Sequence, residues 1–239
     1  MSLRKALHRL RRRRATQPVH GDSTQALKGL LRGRVRPVLF DVGAHFGETH
    51  AGFARNFPDA RIYCFEPFPD SFARLAENVA DRADSRAFNI GFSDRPGAQE
   101  FHANRASPTN SLLELDSRAP ETWEMPGLLG ERKVNCRFET IDAFMEAQGI
   151  ARIDLLKLDV QGAEYRVLAG AERALGEGRI DAIYMEIITG PTYVEQWPLE
   201  RYLAYLHERG FELFGFFNLA YRSDHYLMQL DALFRRAGG

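Results

Sequence analysis

"VLFDVGAHFGETHAGFARNF" (residues 38–57) opens as a strand and closes as a helix, with small residues packed into the turn between them. An apolar run reaches Asp41, the turn carries Gly43, Ala44 and Gly47, and Phe46, Phe53 and Phe57 then fall on roughly one side of a helix. Units of this kind, repeated, build a parallel sheet covered by helices on both faces.

The unit does repeat. "RIYCFEP" (61–67) is a second strand, followed by a helix over "DSFARLAENVA" (70–80) with Asp70 as N-cap, and "SRAFNIGFS" (85–93) is a third strand. A polar, turn-rich region with Pro96-Gly97, Pro108, Pro120 and Pro126-Gly127 occupies 94–131. Beyond it come a helix over 140–149, a strand over 152–160, a helix over 162–175, a strand over 179–187 and a helix over 199–210. "FELFGFFNLA" (211–220) and "DHYLMQL" (224–230) read as a terminal hairpin. The predicted fold is therefore α/β, a doubly wound, Rossmann-like, mostly parallel sheet of seven strands ending in an antiparallel pair. A basic N-terminal arm (1–34) precedes the domain (35–239).

Lys plus Arg equals Asp plus Glu at 32 each, so overall charge favours neither a nucleic-acid binder nor an acidic tail. Seven of those basic residues crowd into "RKALHRLRRRR" (4–14). This run lacks the apolar core of a secretory signal and suits contact with an anionic membrane surface or a polyanion, or a merely solvated helix. Cys64 and Cys136 read as free thiols of a reducing, cytoplasmic compartment, with peripheral attachment at the inner membrane surface allowed through 4–14.

In such sheets ligands lie beyond the carboxyl ends of the strands, so the residues closing each strand matter most. A dinucleotide turn is G-x-G-x-x-G; here His45 takes the second glycine's place and Glu48 the third's, which disfavours a pyrophosphate. The small-residue turn also suits S-adenosylmethionine, which has no phosphates and presents an ammonium, a sulfonium and a ribose. Asp41 before the turn can face the positive groups. Glu66, 25 positions on at the end of the second strand, can accept from both ribose hydroxyls.

Five stretches in order, "FDVGAHFGETH", "YCFEPFPDSFARLAENV", "FNIGFSD", "ETIDAF" and "IDLLKLDVQGAEYRVLAGAERAL", resemble the FkbM family of methyltransferases over roughly 36–190. The most specific is "LLKLDVQGAEYRVLAG", which follows the family pattern nearly position for position. The resemblance implies the class I methyltransferase fold and methyl transfer from S-adenosylmethionine to hydroxyls of sugars, glycans or secondary metabolites. It assigns the cofactor to Asp41, Gly43, Gly47 and Glu66, with Ala44, His45, Thr49 and Pro67 beside them and Asn89 and Ile90 by the adenine. His45 departs from the Asn that many members carry.

Methyl transfer to an alcohol needs alignment and a route for the proton, through a general base or a divalent cation such as magnesium. Asp159 and Glu186 close the fourth and fifth parallel strands and are the candidates for either role. Lys157 shares a sheet face with Asp159 by the period-two rule. His225, opening the last strand, is a further candidate base. Acceptor contacts are expected from 102–131, "TGPTYVEQWP" (189–198) and the terminal hairpin, with Tyr193, Trp197, Tyr221 and Arg222 suited to a sugar or ring face. Rival readings are RNA 2′-hydroxyl methylation and a non-catalytic S-adenosylmethionine-binding protein. Amino-group methylation of bases is disfavoured because "DVQG" stands where [DN]-P-P-[FYW] would. A homodimer remains among the partner expectations, and nucleic acid is disfavoured.

Overall fold

The computed structural model describes residues 22–104, 109–125, 128–129 and 131–238. The basic run 4–14, Pro108 and Pro126-Gly127 lie outside these residues. The main sheet holds β1 (Val38–Val42), β2 (Arg61–Phe65), β3 (Ser85–Phe88), β7 (Leu155–Leu158), β8 (Ala182–Ile188), β9 (Phe211–Tyr221) and β10 (Leu227–Arg236), in the order β3-β2-β1-β7-β8-β10-β9. All pairs through β8 are parallel, and β10 runs antiparallel between β8 and β9. This is the seven-stranded class I methyltransferase arrangement, with its C-terminal hairpin.

Helices cover both faces. On one side lie α1 (Ser23–Leu30), α2 (Glu48–Asn56) and α3 (Pro69–Val79). Leu27, Phe53, Leu75 and Val79 are buried there with Leu39, Ile62, Tyr184 and Leu233 of the sheet. The helix α1 thus packs onto the domain that the sequence places from residue 35. On the other side α5 (Ile141–Ala147), α6 (Glu164–Ala169), α7 (Glu172–Gly176) and α8 (Leu199–Glu208) bury Phe144, Val167, Leu175 and Leu206 against Phe40, Leu156 and Ile183. Each such side chain contributes about 1.5–3 kcal/mol by leaving water. Among the described residues no helix is long and apolar enough to cross a membrane.

The turn-rich 94–131 region holds more order than its polarity suggests. With β4 (Gly91–Phe92), β5 (Gly97–Asn104) and β6 (Glu131–Glu139) form a second sheet, β4-β6-β5, beside the short helix α4 (Ala119–Thr122). Exposed polar residues at the start of β5 mask its apolar half, of which Phe101 and Ala103 join a separate core with Leu112 and Phe138.

Two expected elements are divided, each at or beside a closely packed glycine. The third strand breaks at Asn89-Ile90, and a Cβ on Gly91 would lie 2.3 Å from the Phe138 ring. The helix expected over 162–175 breaks at Gly170, where a Cβ would lie 2.1 Å from the Ser93 carbonyl oxygen. Asp70 is not the N-cap of α3: Phe68 is, Pro69 starts the helix, and Asp70 lies in the first turn, where its charge favours the helix dipole.

Candidate active site

The carboxyl ends of β1, β2, β7 and β8 converge on a cavity of about 380 Å³. Its floor is the turn after β1. Gly43 and Ala44 both donate their backbone N–H to the Phe65 carbonyl at 3.0 Å, tying the turn to β2. Gly43 has φ +78°, and a Cβ there would lie 1.8 Å from the Asp159 carbonyl oxygen. Glycine is therefore required where the ends of β1 and β7 meet. Gly47, also left-handed, starts α2 behind the turn.

Glu66 braces the same turn. Its Oε2 accepts from the His45 N–H at 3.0 Å and its Oε1 from the Phe68 N–H at 2.9 Å. Burial pushes its carboxyl up to about 7, against the pull of those two N–H groups. His45, Thr49 and Pro67 line the cavity with it.

Asn89 and Ile90 do not line the cavity. Asn89 Nδ2 donates to the carbonyls of Glu66 at 2.9 Å and Pro67 at 3.1 Å, and Ile90 is buried in the core. That side of the cavity is lined by Gly91, Phe92, Phe101, Leu112 and Phe138, mostly from the second sheet.

Asp41 lies behind the turn, fully buried and off the cavity surface. Its register partner on β7 is Lys157. The Lys157 Nζ lies 3.3 Å from Asp41 Oδ1 and 3.3 Å from Asp159 Oδ2. Burial opposes the ammonium, but the Asp159 and Asp41 charges outweigh it and hold Lys157 above its ordinary value. Burial likewise opposes the Asp159 carboxylate, yet Lys157 and Gln161 hold its pKa below the usual range. Asp41 is raised by burial, only partly offset by Lys157.

Gln161 joins the two acids. Its Nε2 donates to Asp159 Oδ1 at 2.9 Å and to Glu186 Oε2 at 2.8 Å, while its Oε1 accepts from the Tyr193 hydroxyl at 3.0 Å. Gln229 Nε2 donates to Glu186 Oε1 at 3.2 Å. Burial, then the Asp159 charge, pushes Glu186 well above its ordinary value. The two neighbours are thus pushed in opposite directions, Asp159 toward the carboxylate and Glu186 toward the protonated acid.

This donor set does not fit the expected metal pair. Among the described residues no group of three or more His, Cys, Asp or Glu side chains comes together as a metal shell. An ammonium lies against Asp159, and an amide N–H₂ fills the space between the acids, where a cation would need lone pairs.

Other expected residues fall elsewhere. His225 is exposed at the hairpin tip and lines no part of this cavity. Trp197 stacks on Tyr165 at 5.0 Å under Arg201, Tyr221 is exposed, and Arg222 pairs with Asp224 at 2.7 Å. Tyr193 is absent from the cavity lining and reaches the site through its hydroxyl bond to Gln161 and its packing beside Phe101, Leu112 and Phe138. Both cysteines are buried free thiols, pushed up by that burial. The bridging role of Gln161 was not read from the sequence; a Gln directly after a strand-closing Asp-Val was the available signal.

The model of the methyltransferase FkbM domain matches residues 41–213. The chain is 32% identical over 184 residues to the 2-O-methyltransferase NoeI of Sinorhizobium fredii, covering 71% of each chain. It is 32% identical over 157 residues to the 31-O-demethyl-FK506 methyltransferase FkbM of Streptomyces tacrolimicus, covering 57% of this chain and 60% of that one. The hexuronic acid methyltransferase AglP of Haloferax volcanii is 29% identical over 157 residues, covering 64% of this chain and 56% of that one.

Proposed function

The chain belongs to the FkbM family of S-adenosylmethionine-dependent methyltransferases, and from that membership we propose that it methylates a hydroxyl of a sugar, a glycan or a secondary metabolite. The observation that carries the reading is the carboxylate of Asp159, kept ionised by buried Lys157 on the wall of the cavity beside the β1 turn.

The cavity fits the cofactor's parts. Glu66 offers its remaining lone pairs to a ribose diol, Phe92 and Phe138 give an apolar wall for an adenine, and the Gly43–His45 backbone borders the amino-acid end. When bound, S-adenosylmethionine supplies an electrophilic methyl on a sulfonium, open to in-line displacement by an oxygen.

This chain's residues handle the proton. The acceptor O–H donates to the Asp159 carboxylate, which takes the proton as the oxygen loses electron density to its new bond. Lys157 keeps Asp159 charged before the transfer. Gln161 fixes its orientation by bridging it to Glu186. No step needs a divalent cation, and His225 has no part in it.

The basic run at 4–14 adds a separate proposal, contact with an anionic surface or glycan. Its deletion with unchanged vesicle association and turnover would remove that idea.

The test of the function is calorimetric binding of S-adenosylmethionine to the wild type and to Glu66→Ala. It is followed by transfer of labelled methyl to a panel of hydroxyl acceptors, in EDTA and in magnesium. Binding lost in the mutant and oxygen-linked label in EDTA support the reading. Label appearing only with magnesium overturns the role of Asp159 as sole proton acceptor, and label on nitrogen or carbon alone overturns the function.

A further inference from the structure

A second cavity, of about 340 Å³, adjoins the first across the Asp159–Glu186 pair. The two share Thr49, Lys157, Asp159 and Glu186. From there the second continues along the sheet to Tyr184, Asn218, Gln229 and Asp231.

The hairpin brings these groups together. Asp231 of β10 is the antiparallel register partner of Glu186 on β8, and Tyr184 and Gln229 lie two residues away on the same face. Asn218 comes from β9, where the pairing with β10 shifts register between Gln229 and Asp231 and the backbone turns left-handed at φ +48°. That bulge aims its amide inward. Asn218 Nδ2 donates to Asp231 Oδ2 at 2.6 Å and to the Tyr184 hydroxyl at 3.1 Å, while that hydroxyl donates to Asp231 Oδ2 at 2.5 Å.

The wall is thus fixed before any ligand arrives, and it mixes carboxylate acceptors with amide donors. A ring hydroxyl both donates and accepts, so a polyol matches it, whereas a flat apolar ring would cover these polar groups without offering them a partner. Charge narrows the choice further. Lys157 is the one cation among the described lining residues, and two carboxylates already hold it. A carboxylate, sulfate or phosphate on the ring would meet the Asp159 carboxylate on this same wall with no cation left to pair it.

We infer that this cavity is the acceptor subsite and that it selects an uncharged, polyhydroxylated ring, a neutral sugar residue, over a uronic, sulfated or phosphorylated one. The inference rests on the proposed function and names the acceptor class within it.

The experiment measures binding of methyl glycosides to the full chain held with S-adenosylhomocysteine, by saturation-transfer NMR, followed by methyl transfer to the same compounds. Neutral hexosides and deoxyhexosides are expected to bind and accept methyl, with the corresponding uronides at least about tenfold poorer. Asp231→Asn and exposed Asn218→Ala should each weaken the neutral glycosides about tenfold or more while S-adenosylhomocysteine affinity holds, which separates subsite loss from misfolding. Asn218→Lys should raise uronide binding. Uronides binding as tightly as neutral sugars, or sugar binding indifferent to both Asp231→Asn and Asn218→Ala, overturns the inference. Methyl transfer to a phenolic hydroxyl with no sugar bound also overturns it, but leaves the O-methyltransferase reading standing. Transfer to nitrogen alone removes both.

Discussion

A methyl group added to Gly43 would lie 1.8 Å from the carbonyl oxygen of Asp159, so the floor of the cofactor cavity and the proposed proton acceptor are in backbone contact. The glycine that a motif reader assigns to the ligand is needed first by the neighbouring strand.

Gly43→Ala is therefore expected to cost about 3 kcal/mol or more, from the clash and from φ +78° together. At this chain length that lowers the melting temperature by roughly 6–12 °C. Thermal unfolding followed by circular dichroism checks it; a melting temperature within a degree of wild type would show that β1 and β7 can part without cost.

Glu66 and Glu164 give a pH dependence. Burial raises both carboxyls from their ordinary value to about 7. Between about 4.5 and 7 the folded chain then binds more protons than the unfolded chain, so stability from these groups is greatest below that window and falls as pH rises through it. Glu164→Gln keeps an oxygen to accept the Val160 N–H that Glu164 now accepts at 2.9 Å. It should flatten the decline between pH 5 and about 8, read from urea midpoints. An unchanged slope would refute the assignment.

Lys157 answers the wholly buried Asp41 and the wall residue Asp159, so Lys157→Met leaves the Asp41 charge uncompensated and should destabilise by about 3–5 kcal/mol. Asp41→Asn in the same chain removes that charge. The double variant should be more stable than Lys157→Met alone, with a coupling energy of about 0.5–3 kcal/mol. Additive effects in that cycle would mean that Lys157 acts on Asp159 only.

Gln161 sits at φ +56°, a conformation Asn tolerates. Gln161→Asn should keep the backbone but fail to span Asp159 and Glu186, lowering kcat about 10–100-fold. S-adenosylmethionine affinity, measured by calorimetry, should move less than about threefold, because Glu66, the proposed ribose partner, is untouched. Equal losses in both would make Gln161 a structural residue of the whole cavity.

Asp159→Asn removes the proposed proton acceptor while preserving shape. Turnover is expected to fall by about 10²–10⁴-fold, with the melting temperature close to wild type. Retained turnover would transfer the role to Glu186.

Period-two and period-3.6 patterns made the seven main strands and most of their helices legible, because apolar faces must meet a core wherever the chain goes next. The same reasoning placed Glu66, Asp159 and Glu186 at strand ends, since parallel strands bring their carboxyl ends to one side. It missed β5 and β6, whose polar edge residues hide the pattern; Asn89, set beside the adenine by the family resemblance, hydrogen-bonds the Glu66 and Pro67 carbonyls of the neighbouring loop.

The sequence by itself determined the layered α/β scaffold and which side of the sheet carries the chemistry, for these follow from local hydrophobic spacing and strand order, while the family was legible through the resemblance of its motifs. Which acids face a ligand and which are locked inside was decided only in three dimensions. Asp41 and Asp159 look alike in sequence, each closing an apolar strand. The parallel register of β1 and β7 puts Lys157 between them, burying one wholly and leaving the other at the cavity wall. The polar pocket of Tyr184, Asn218 and Asp231 likewise exists only because three distant strands pair, and a bulge in one of them turns an asparagine inward.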